Sequence, residues 1–185
     1  MSSAQTRNIG FELKNLWNEE EAAACGEDAL ALRVYSSRLI GQASDLVLHG
    51  GGNTSVKAEF SDIFDDHHEV LYVKGSGWDL ATIEAPGFAP VALDALLKLS
   101  RFDVLSDADM VRAQRAAMLD PGAPNPSVEA ILHALIPFRF VDHTHADAVV
   151  TLTNTPDGRA RVREIYGDRL LVVPYVMPGF VLAKK

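Results

Sequence analysis

A single cysteine, Cys25, occurs in the 185 residues, so no disulfide can form within the chain. Its alanine-rich surroundings predict a small residue buried in a helix. Long apolar runs are missing too. Leu170 to Val173, and Ala148 to Leu152 with its threonine, fall far below the ~20 residues a membrane span needs, so the sequence predicts a soluble protein. Basic residues are outnumbered: Lys and Arg total 17 against 25 Asp and Glu, for a net charge of -8 and a pI near 5.2. That balance argues against a general binder of nucleic acid or of membrane surfaces, either of which needs a basic face. The N-terminal Met1 to Arg7 lacks the apolar segment of a secretory signal, and the cytoplasm is the expected compartment.

What is present is a chain with 48% hydrophobic residues, long enough for one ordinary domain over residues 1–185. Beyond a polar first dozen residues, Glu19 to Cys25 predicts a short helix. Apolar residues at near-helical spacing from Asp28 to about Leu48 predict a long amphipathic one. Thr54 to Ala58 and Glu69 to Lys74 read as paired strands around the acidic turn Ser61 to Asp66, with His67 and His68 solvated beside it. Pro90 suits the first turn of a helix through Leu97, Ser106 caps the next, and the rigid connector Pro121 to Pro126 delivers a helix over Ser127 to Leu135. A strand over Ile136 to Val141, helices from Ala146 and around Arg159 to Tyr166, and a strand over Leu170 to Val176 complete the series. No regular βαβ period emerges, which predicts an α/β or α+β domain.

Chemistry concentrates after the Ile136–Val141 strand. His143 and His145, two apart, should project to one face, where two neutral imidazoles make two of the three protein ligands usual for a catalytic zinc. The pattern is weak alone, and a third ligand must come from elsewhere. His49-Gly50-Gly51-Gly52-Asn53-Thr54-Ser55 and Lys74-Gly75-Ser76-Gly77 are glycine turns whose N–H groups can nest an anion, though such turns are also common punctuation. His-Gly-Gly-Gly also occurs as an oxyanion loop in lipase-like esterases. Ser76 lacks the glycines at minus two and plus two of a nucleophile elbow, so a serine hydrolase fails on its nucleophile. Glu129 and His133, four apart, share a helix face, either as a surface pair or with Glu129 as acid/base near a metal.

Taken together, Gly52-Asn53-Thr54-Ser55, Ser76-Gly77, the Pro126 to His133 segment and the His143/His145 pair resemble the class II aldolase/adducin family. Leu48 to Asn53, Val73 to Leu80 and Val141 to Asp147 are most similar to the aldolase half of bifunctional proteins that fuse a rhamnulose-phosphate-type aldolase to a short-chain dehydrogenase. The resemblance implies an α/β fold whose central, mainly antiparallel sheet is covered by helices on both sides, assembled as a homotetramer. It implies a zinc-dependent lyase that cleaves a ketose 1-phosphate, of rhamnulose or fuculose type, to dihydroxyacetone phosphate and an aldehyde. In it, His143 and His145 would be metal ligands, Glu129 the acid/base, Tyr175 a proton donor, and Asn53, Ser76, Gly77 and Ser127 the phosphate site. An epimerase or dehydratase of the same family, or a non-catalytic adducin-like interaction module, are the alternatives. The family's later third histidine has no counterpart after His145, which predicts a domain truncated at its C-terminus, or completion of the shell by His133, Asp142 or Glu129. Val128 stands where many relatives have a second phosphate-binding serine.

Overall fold

The computed structural model describes residues 14–185, and the polar N-terminal stretch read above falls outside them. Two capped helices lead in. The Asn18 side chain accepts the N–H groups of Glu20 and Glu21 ahead of α1 (Glu19–Ala24), and Asp28 does the same for Leu30 and Ala31 ahead of α2 (Ala29–Gln42). Cys25 is only half-buried, at the C-cap of α1. α2 stops at Gln42 rather than near Leu48. Past it the chain turns so that Val47 packs against Leu80 and Ile83, and the Leu46 carbonyl accepts the His145 N–H.

A four-stranded antiparallel sheet follows: β1 (Asn53–Ser61), β2 (His67–Lys74), β3 (Phe88–Ala92) and β4 (Phe140–His143), in the order β3-β2-β1-β4. His67 and His68 open β2 beside the acidic turn, whose Asp62 carboxylate accepts the N–H groups of Phe64 and Asp66. Pro90 lies in edge strand β3, not in a helix. Its carbonyl points away from β2 to accept from Leu119, so the missing N–H falls on the outer side where no ladder bond is lost. The helix begins later, as α3 (Leu93–Leu99), followed by α4 (Asp107–Ala116) capped by Ser106.

The period of two along the strands divides the core. Leu71, Val73, Ala89 and Val91 face α3, α4, α5 (Ala130–Leu135) and α8 (Phe180–Ala183), through Leu96, Met110, Ile131 and Phe180. On the other face Tyr72 and Phe88 meet Leu80, Ile83 and, from α2, Leu30 and Val34. Helices therefore cover both sides of the sheet.

Three further stretches differ from the sequence reading. Residues 127–129 form a turn before α5, with Ser127 Oγ accepting the Glu129 N–H. β4 begins only at Phe140, and just before it Lys57 Nζ takes the carbonyls of Ile136 and Phe138. Leu170 to Val176 is no strand. It follows α6 (Asp147–Thr153) and α7 (Gly158–Tyr166), Leu171 is 91% exposed, and no strand among the described residues lies alongside to pair with its backbone.

Candidate active-site cleft

Alternation along β1 and β4 sorts the polar residues by face. Asn53 pairs with His143 and Ser55 with Val141, so these point toward α5. Thr54 pairs with Asp142, and both point toward α2. On the α2 side, Ser37 Oγ meets Thr54 Oγ1 at 2.7 Å, and Arg33, 1% exposed, reaches the Asp142 carboxylate at 2.6 Å.

On the α5 side three residues of β1, each two apart, hold successive parts of one segment. Asn53 Nδ2 donates to Glu129 Oε2 at 2.5 Å, Ser55 Oγ meets His133 Nδ1 at 2.8 Å, and Lys57 Nζ donates to the carbonyls of His133, Ile136 and Phe138. Burial drives the His133 pKa down to about 4, against the pull of Glu129. This imidazole is neutral, enclosed and committed to Ser55.

Glu129, 7% exposed, is the floor of a cleft of about 360 Å³. Its Oε2 also lies 2.8 Å from His143 Nδ1, and Asn53 Nδ2 lies 3.0 Å from that same nitrogen. Burial works to raise the Glu129 pKa, but the hydrogen bonds of His143 and Asn53 outweigh it and hold the carboxyl at about 2. With its proton on Nδ1, facing Glu129, the His143 ring would present Nε2 as the lone-pair nitrogen. His145 lies past the end of β4, so strand alternation does not align it with His143. Its N–H bond to Leu46 holds the loop in place, and the two rings lie 4.9 Å apart between centroids. Gly52 is required here: its φ is +65°, and a Cβ would stand 2.6 Å from the His143 carbonyl.

The cleft brings together Asn53, Ser76, Gly77, Ser127, Glu129, His143 and His145. Tyr175 does not line it, being 86% exposed with its hydroxyl on Met177 Sδ. Val128 does line it, exposed. The two imidazoles, one with its second nitrogen on a carboxylate, suit a divalent metal. They supply two donors where a catalytic zinc usually takes three. Among the described residues no group of three or more His, Cys, Asp or Glu is arranged to hold a metal. Asp142 points to the opposite face and His133 is bonded to Ser55, so neither completes the set. Sequence reasoning also passed over Lys74, 4% exposed at the end of β2, whose Nζ donates to the Gly50 carbonyl at 3.0 Å in the cleft wall.

An antiparallel sheet between helical layers, with a carboxylate, paired imidazoles and glycine turns at one end, defines a class II aldolase type of domain. The chain belongs to this family: residues 32–185 match the class II aldolase and adducin N-terminal domain. It is 41% identical over 172 residues to the "Uncharacterized oxidoreductase YuxG" of Bacillus subtilis (strain 168), a match covering 93% of this chain and 25% of that protein. The chain thus spans a quarter of the length of that curated relative. It also superposes on the N-terminal class II aldolase domain of a conserved protein from Thermoplasma acidophilum, with a TM-score of 0.84 and 42% identity over 94% of this chain and 78% of the other. No helix among the described residues is long and apolar enough to cross a membrane.

Proposed function

We propose that the cleft performs aldol cleavage of a ketose 1-phosphate, of rhamnulose or fuculose type, giving dihydroxyacetone phosphate and an aldehyde. The observation that carries this reading is Glu129, buried, ionised and oriented by Asn53 and His143 next to a second imidazole. A bound divalent metal, zinc by preference, held by His143 and His145, would act as a Lewis acid on the ketose oxygens. In the condensation direction Glu129 takes a proton from the carbon beside the carbonyl. In cleavage it returns that proton to the same carbon once the carbon–carbon bond has parted. Asn53 keeps the carboxylate aimed, and Ser76, Gly77 and Ser127 at the cleft rim hold the phosphate, fixing the reacting carbons. Tyr175, exposed on its own chain, is available to a neighbouring copy in a homotetramer, where it would donate its proton to the aldehyde oxygen in condensation and take it back from that hydroxyl in cleavage. The quarter-length coverage of an oxidoreductase-named relative supports a larger polypeptide in which a short-chain dehydrogenase accompanies this domain.

The test is a panel of ketose 1-phosphates with zinc, for the chain alone and within its longer polypeptide, scored for dihydroxyacetone phosphate. Solvent-proton exchange into dihydroxyacetone phosphate isolates the Glu129 step. Glu129→Gln is expected to abolish exchange and cleavage together. Cleavage by neither form on any member of the panel refutes the reading.

A further inference from the structure

Lys74 is the only lysine or arginine lining the cleft among the described residues. It bridges the two rims: its backbone carbonyl accepts the Ser127 N–H at 3.2 Å, and its Nζ donates to the Gly50 carbonyl at 3.0 Å. An ammonium carries three donors, and among the described residues Gly50 alone accepts one. No carboxylate among them comes within 4.0 Å of the Lys74 ammonium, and Glu129 across the cleft is already bonded to Asn53 and His143. A lysine that is 4% exposed with no carboxylate in direct contact is costly to keep charged, and the arrangement gains stability when an anion enters. Burial lowers its pKa while Asp79 opposes the shift. Close by, the Gly77 N–H has no acceptor among the described residues.

We infer that Lys74 is the residue by which this cleft selects an anionic substrate, its two remaining ammonium hydrogens meeting the anion between the Gly50 and Gly75–Gly77 turns. That the anion is a phosphate rests on the function proposed above; the role of Lys74 does not. Such a lysine raises affinity for charged ligands and discriminates against neutral sugars of the same shape.

The experiment is a titration of the isotope-labelled full chain with inorganic phosphate and, separately, acetate. It follows the Ser76 and Gly77 amides and the Lys74 side-chain resonance, in wild type and in Lys74→Met checked for folding by circular dichroism. Phosphate is expected to shift all three signals, and Lys74→Met to weaken its binding at least tenfold. Phosphate binding within twofold of wild type in folded Lys74→Met overturns the inference and leaves the phosphorylated substrate standing. Acetate binding that depends on Lys74, with no phosphate binding, supports the inference and removes the phosphate reading. A Lys74 resonance that stays fixed at saturating phosphate and acetate overturns it in the wild type alone, whatever the variant does. So does the failure of both anions to bind.

Discussion

Arg33 and Asp142 meet at 2.6 Å across unequal surroundings, the arginine side chain being 1% exposed and the aspartate 46%. Asp142 directly precedes His143, and strand alternation sends one to α2 and the other to the cleft, so the ion pair anchors β4 from behind the site.

The unequal burial predicts an unequal cost. Asp142→Asn strands a guanidinium away from water and should destabilise the fold by about 3 kcal/mol, whereas Arg33→Met leaves a carboxylate that water can reach and should cost less. Urea unfolding of the two variants measures the difference. Equal costs would mean that the Arg33 bonds to Ser36, Ser37 and Ser55 matter as much as its charge partner.

A pH window follows from His133. Its pKa is about 4 in the folded chain and about 6.5 when unfolded, so the unfolded state binds the proton first. Stability should be full above about pH 6.5 and should fall by roughly 3 kcal/mol as the pH drops to about 4. His133→Asn, which keeps a partner for Ser55, should flatten that interval. The loss from Glu129 begins lower, as the pH falls below its ordinary value toward its folded pKa of about 2. Denaturant midpoints across the range separate the two.

Gly52→Ala places a side chain on a left-handed residue and against the His143 carbonyl. The conformation alone costs about 1–2 kcal/mol, and the 2.6 Å contact must add to it by displacing β4. Thermal unfolding together with the His143 ring resonances should register both effects. Stability lost with unchanged ring signals would confine the damage to the turn.

Zinc added to chelator-treated protein should raise the unfolding midpoint, and His143→Ala or His145→Ala should each abolish the rise. Glu129→Gln should weaken zinc about 10–100-fold, because it removes the negative charge beside the His143 ring that raises its basicity as a ligand. Zinc stabilisation that survives His145→Ala would place the metal elsewhere.

Most of the site was readable in advance because its residues cluster in short motifs: Asn53, Ser76, Gly77, Ser127, Glu129 and His143 all reach one cleft. Where the reading departed, long-range pairing was the cause. Leu170 to Val176 has strand composition, but a strand exists only beside another, and exposure follows where none lies alongside. Pro90 satisfies the rules for a first helical turn and also those for an outer strand edge, and only the Leu119 bond decides. His145 joins His143 through a loop rather than a pleat. Lys74 carries no local mark, since a lysine closing a strand ordinarily reads as solvated; its burial comes from two loops folding over it.

The grip of β1 on the segment from Glu129 to Phe138 joins two lattices of different pitch. Two residues of strand advance about 6.7 Å, and four residues of helix about 6 Å. Asn53, Ser55 and Lys57 therefore stay in step with Glu129, His133 and the carbonyls that close α5, like the marks of a vernier. One residue added to either rail would put every later mark out of phase, so a single insertion there should undo the contacts of Asn53, Ser55 and Lys57 together.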